Sequence, residues 1–305
     1  MSAAFLLGLA SAITWGLASY EGALVARQFG GWIANLGTQM VGLAVTIPIV
    51  IVTGLKGMSI GELAVLVGVS LGITVANVAT YHLVTMGPVS LIFPILASSN
   101  AVVTVLALVL LHEPVHVPQL AGMVLVIGGV GATVYRSSGA TEPVREVLRG
   151  RGPGRSQAGL VPSQPSSGVV WVTVGVMLIS GGLLFVITRL IDRVGWPVTI
   201  VGSRAIQSAA LVIPLFVGAM PVEHLRGHAA RWWALLGLVG FLDGISYVLY
   251  GAGNALGSTA IVSATVSAYA VVPVVLSIIL LRERPQTHQS AGIAAVLTGL
   301  VLLAL

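Results

Sequence analysis

Between Leu63 and His112 the chain carries no Asp, Glu, Lys or Arg, and a second such run extends from Gly244 to Leu281. Each run outlasts one bilayer-crossing helix of about 20 residues, so each must hold two helices and a turn. The turns are expected at Gly87-Pro88 and at about Asn254 to Gly257, where Gly and Pro lower the cost of reversing the chain. Composition points the same way. With 56% hydrophobic residues, 8% charged residues and a mean hydropathy of +1.03, there is too little polar side chain to coat a soluble globule of 305 residues. Long alternating polar and apolar segments, the mark of an outer-membrane barrel, are missing. The expected fold class is an all-α integral membrane protein.

Hydropathy places spans near 3–26, 32–54, 62–85, 89–111, 118–135, 168–190, 197–218, 231–253, 258–281 and 287–305. A duplication groups them. Leu110-Leu111-His112-Glu113 followed by Gln119-Leu120-Ala121-Gly122 returns 170 residues later as Leu280-Leu281-Arg282-Glu283 followed by Gln289-Ser290-Ala291-Gly292. Over 109–131 against 279–301, eight of 23 positions are identical, where composition alone gives about two or three. Five spans per copy is an odd number, so the second copy enters from the opposite side of the membrane. The expectation is therefore ten transmembrane helices as two inverted five-helix repeats, 1–135 and 168–305, an arrangement used by transporters. The stretch 136–167, with Arg145, Arg149, Arg151 and Arg155 among Gly, Pro, Ser and Gln, has too little apolar surface to order itself and reads as a flexible basic linker.

Charge and cysteine usage narrow the setting. Residues 1–20 hold no Lys or Arg, so they lack the positive region of a signal peptide, and without cysteine there is no disulfide framework or thiolate metal site. The linker face carries Arg27, Arg136, Arg145, Arg149, Arg151, Arg155, Arg226, Arg231, Arg282 and Arg284; the other face carries Lys56, Arg189 and Arg193. This bias places the linker in the cytoplasm of a plasma membrane, in a bacterium the inner membrane, with both termini outside. The basic pI is thereby explained by orientation and anionic lipid, not by nucleic acid.

Thr14-Trp15-Gly16 in the first span, the Glu and Gln-x-x-Gly elements closing each half, and Gly240-x-x-Asp243-Gly244 in the eighth span resemble the drug/metabolite transporter superfamily, in particular its EamA-type members. The resemblance covers nearly the whole chain outside the linker. It implies a carrier working by alternating access, with a cavity lined mainly by spans 1, 3, 4, 6, 8 and 9 and with spans 5 and 10 to the side. It also implies cytoplasmic termini, against the charge bias. Amino acids or related metabolites are the cargo it suggests, moved outward.

Ionisable residues inside spans are the first site candidates. Arg and Asp at a helix centre each cost about 2.5–3.5 kcal/mol to insert, so Arg204 and Asp243 need a reason to be there. At 1.5 Å per residue they lie about 10 and 15 Å from the same face on consecutive spans, within reach of one another. Two readings are open: a structural salt bridge, or a proton or substrate site in which Asp243 changes partner. Glu21, near the end of the first span, is either an interfacial side chain or a cavity carboxylate; small multidrug carriers of the resembled superfamily bind protons and cations at a first-span glutamate. His82 is either an interfacial histidine or a group titrating near neutral pH.

Spans 4 and 9 are polar for membrane helices, with Pro94, Ser98, Ser99, Asn100 and Thr104 in one and Ser263, Thr265, Ser267, Tyr269 and Pro273 in the other, and they are expected to line the path. Trp15, Asn77, Tyr247 and Tyr250 add rings and an amide for a substrate with apolar and hydrogen-bonding parts; the alternative is plain helix packing.

Other patterns carry no chemistry. Gly68-x-x-x-Gly72 and Gly240-x-x-x-Gly244 suit close helix packing, and Gly68-Val69-Ser70-Leu71-Gly72 has no preceding strand to make it a nucleophile elbow. Glu113 and Glu283 sit at span ends as caps. With no phosphate loop, metal cluster or nucleophile and base pair, neither an enzyme nor a cofactor is expected. The partners expected are a small-molecule substrate and the bilayer, with proton coupling open. The alternatives are efflux of lipophilic cations or drugs, and a lipid-head-group carrier or flippase component.

Overall fold

The computed structural model describes residues 3–54, 57–111, 117–134, 166–216, 228–256, 262, 265–266, 268–282 and 287–303. Within them the chain is helical, with no strand: α1 Ala3–Phe29, α2 Gly31–Thr53, α3 Ile60–Met86, α4 Val89–Ala97, α5 Ser99–Leu111, α6 Val117–Val134, α7 Ser167–Val194, α8 Trp196–Phe216, α9 Ala230–Leu256, a 3-10 turn Ala268–Ala270, α10 Val271–Leu280 and α11 Thr287–Leu303. Six of these, α1, α2, α3, α7, α8 and α9, are long and apolar enough to cross a membrane. Linker residues 136–165, Glu113, Glu283, Lys56, Ser263, Ser267 and the arginines at 136, 145, 149, 151, 155, 226 and 284 lie outside the described residues.

Local chemistry sets the helix ends. Ser59 and Glu62 form a reciprocal cap on α3, each side chain accepting from the other's backbone N–H at 3.2 and 2.9 Å. At the other end of α3, Arg27 donates to the carbonyls of Val84 and Gly87 at 3.2 and 3.3 Å, satisfying acceptors that the helix leaves open. The expected span 89–111 is two helices. Pro94 has no N–H to give, and Ser98, where the helix breaks, donates through its hydroxyl and its backbone to the Pro94 carbonyl at 2.8 and 3.2 Å. Of the turn expected at about Asn254 to Gly257, Asn254 to Leu256 are still helical, since α9 runs to Leu256. Pro273 is not an interior proline; it lies in the first turn of α10, where a missing donor costs little.

The duplication reappears as matched geometry. Gly30 joins α1 to α2 and Gly195 joins α7 to α8, each with an extended positive φ, 83° and 96°, that L side chains avoid. A methyl on Gly30 would meet nothing within 4 Å. Gly30→Ala is therefore expected to cost about 1–3 kcal/mol from backbone strain alone, read as a lowered unfolding midpoint of the purified protein.

Contacts between the halves are matched too. A Cβ on Gly129 of α6 would lie 2.7 Å from the Gly292 carbonyl of α11, and one on Gly299 of α11 would lie 2.6 Å from the Gly122 carbonyl of α6. These helices pack on each other, with Val126 and Val296 buried between them, and stand beside the remaining bundle. Gly16 of α1 closes on Tyr269 and Val272, as Gly181 of α7 closes on Ser99 and Val102. Gly240 and Gly244 of α9 pack against Val41 and Val45 of α2, and Gly72 against Leu183, whereas Gly68 has open space in place of the expected neighbour.

Candidate functional site

A cavity of about 150 Å³ lies where α1, α2, α3, α4, α5, α7, α9 and the 3-10 turn converge. Its wall includes Trp15, Asn77, Asn100, Asp243, Tyr247 and Tyr269, six of the sequence candidates, together with Thr38, Gln39, Ser99 and Ser180. The residues come from the middle and C-terminal part of α1 and α3, from the first half of α2, and from α4 and the first residues of α5, so the cavity is nearer the end of the bundle that carries the α1–α2 turn. At the other end Leu66 and Val69 of α3 pack with Ile187, Leu190, Ile191 and Val194 of α7.

Arg204 and Asp243 meet. The Arg204 Nη2 donates to Asp243 Oδ2 and, at 3.4 Å, to the Asp243 carbonyl, while Nη1 donates to Gln39 Oε1 at 3.2 Å. The guanidinium carbon lies 4.4 Å from the centroid of the Tyr247 ring. Arg204 is 2% exposed, and its charge is offset by one carboxylate, one amide, one carbonyl and one ring face. Only Asp243 of the pair borders the cavity, with 13% of its side chain exposed.

Room for the guanidinium comes from Gly42, whose place on α2 puts any Cβ on top of Arg204 Nη1. Gly42→Ala is accordingly expected to displace Arg204 and to lower stability by about 1–3 kcal/mol, with the loss removed when Arg204 is also shortened. A double-mutant cycle of thermal unfolding checks this.

Around the pair runs further polar structure. Asn77 Nδ2 donates to Gln207 Oε1 at 3.2 Å, Gln207 Nε2 to Ser203 Oγ at 3.0 Å, and Ser70 Oγ to Ser203 Oγ at 2.9 Å, along the α3–α8 interface. Ser246 Oγ donates to the Asp243 carbonyl at 2.7 Å and Ser11 Oγ to the Ser246 carbonyl at 2.9 Å, tying α1 to α9. Trp15 stacks on Tyr269 at 5.5 Å with the planes 21° apart and tilts against Tyr247 at 4.8 Å and 49°.

The other candidates stand elsewhere. Ser98 spends its hydroxyl on the Pro94 carbonyl, and Tyr250 is 5% exposed in the packing cluster around Leu66 and Val262. His82 is exposed near the end of α3. Glu21 is half-buried off the cavity wall, and its Oε2 has no hydrogen-bond partner among the described residues. Gln39, Gln207, Ser203 and Thr38 are part of the polar structure but were not expected from sequence. The readable signal was an amide in an uncharged apolar stretch.

The EamA-like transporter family matches residues 2–135 and 166–305. The chain belongs to this family. Membership makes this EamA-like chain a multi-pass membrane protein and a transporter of small molecules. No curated protein sequence matches it. Among solved structures, 27 chains match; one, titled only "Crystal structure of protein", has a TM-score of 0.66 at 15% identity, over 99% of this chain and 96% of that one. At that identity the likeness speaks for the fold alone. The two family matches leave out the basic stretch between the halves. The cavity wall is built from helices that the resemblance implied, with α2 added; among the described residues none of α6 or α11 is on it.

Proposed function

We propose that this EamA-like protein is a secondary transporter that exports small metabolites, such as amino acids or related compounds, across the plasma membrane by alternating access. The observation that carries the reading is the cavity itself, a chamber with polar and aromatic walls built from both halves, with Asp243 in its wall and Arg204 paired to it from behind. Ten spans in two inverted repeats accommodate it, with α4 and α5 together making the fourth, the turn 268–270 and α10 the end of the ninth, and α6 and α11 the fifth and tenth.

Direction follows from two asymmetries. The bias of the loop arginines favours a cytoplasmic linker end, and the cavity lies toward that end, with Leu66 and Val69 packed on α7 beyond it. Substrate is thus loaded from the cytoplasm. In this reading Asp243 is the group that changes partner during the cycle: Arg204 holds it in one state, and a proton or substrate holds it in the other.

The experiment is uptake into liposomes containing the purified protein, offered a pooled panel of labelled amino acids and related metabolites, with and without a proton gradient. Saturable accumulation that depends on the protein and responds to the gradient is expected. A folded sample that moves none of the panel would overturn the metabolite assignment.

A further inference from the structure

The two halves place different residues at equivalent points of the cavity. The contacts of Gly16 with Tyr269 and of Gly181 with Ser99 make Trp15 the counterpart of Ser180, and Tyr269 that of Ser99. Leu236 of α9 meets Gly37 of α2 as Leu66 of α3 meets Gly202 of α8, so Tyr247 is the counterpart of Asn77 and Asp243 that of Ile73. All eight residues are on the wall of one cavity. One side is therefore a cluster of three touching rings beside a carboxylate, and the other, where symmetry would place three more rings, holds two hydroxyls and an amide. Where one half carries three rings, the other carries three short side chains, which leaves more room on that side.

We propose that the cavity binds a small primary amine bearing one aromatic ring with a hydrogen-bonding edge, the ring seated in the lobe of Asn77, Ser99 and Ser180. This rests on the reading of the cavity as the substrate chamber. Size supports one ring, since a cavity of about 150 Å³ is enough to take benzene. Trp15 and its neighbours supply the surface for stacking, and the amide and hydroxyls supply partners for a ring substituent.

Charge selects the amine. Arg204 lies behind Tyr247 and Asp243 and does not line the cavity, whereas Asp243 borders it and, among the described residues, only its Oδ2 is taken. A carboxylate accepts at both oxygens, so Oδ1 can receive an ammonium from the cavity before Asp243 exchanges Arg204 for it. The acceptor faces the ligand and the cation does not.

Tyramine is the probe, with 4-hydroxyphenylacetate as the same ring carrying a carboxylate. Equilibrium dialysis against the purified protein in nanodiscs is expected to give saturable tyramine binding and at least about tenfold weaker competition by the acid. Ser180→Trp, which fills the lobe with the residue of the other half, is expected to weaken tyramine at least about tenfold, while Ser180→Ala, which removes one hydroxyl and adds no bulk, weakens it less. Should Ser180→Trp fail to fold, Ser99→Tyr makes the same test. Absence of tyramine binding to folded protein, equal binding of the acid, or indifference to a folded lobe-filling variant would each overturn the proposal. If liposomes accumulate another solute that tyramine does not compete with, the amine assignment falls and the transporter stands. Binding of tyramine with no transport of any solute would do the reverse.

Discussion

Arg204→Met is expected to cost about 3–5 kcal/mol, the largest loss of stability from any single change in this protein, because it strips Asp243 of its charge partner inside the bundle. An unpaired carboxylate in an apolar wall must find a proton or drag in water. The second half of the experiment is the diagnostic one. Adding Asp243→Leu to the variant removes both charges, and most of the loss should return, since a buried pair replaced by apolar groups of similar volume is often neutral. Thermal unfolding of the two single variants and the double variant measures the coupling. A double variant no more stable than Arg204→Met would show that Gln39 and Tyr247, the other neighbours of the guanidinium, matter more than the charge.

The largest effect on function is expected at Asp243. Asp243→Asn keeps an acceptor for Arg204 Nη2 and nearly the same volume, so the folded protein is expected to survive with a smaller penalty than a truncation would bring. Uptake into liposomes should nevertheless be abolished, because the neutral amide cannot exchange a proton or hold a cation. The measurement pairs transport with the unfolding midpoint of the same preparation. Loss of folded protein together with transport would return Asp243 to a purely structural role.

How much of this was legible in the chain depends on distance in sequence. The long helices were readable because apolar stretches without charge leave few alternatives, and the Arg204–Asp243 pair was readable because consecutive helices at similar depth must neighbour each other. Gln39 was not, since its tie to Arg204 crosses from one half to the other and no local pattern announces it. Ser98 misled for the opposite reason. Its hydroxyl marked a polar helix, but Pro94 four residues earlier had already claimed it for the backbone. Tyr250 and Tyr247 are less than one turn apart on α9, and which of them faces the cavity is decided by helix rotation, a quantity that only packing supplies.

The meeting of Arg204 with Gln39 has an ancestral consequence. The two residues occupy the same place in the two halves and touch each other near the centre of the molecule. In a dimer of identical subunits that place would hold the same residue twice, and two arginines there would face one another in a medium that barely screens their repulsion. Joining the copies in one polypeptide lifts that restriction: one gene segment can encode the cation while the other encodes its neutral acceptor. The fused chain can hold a single buried arginine at that place, where a symmetric ancestor could only have held none or two.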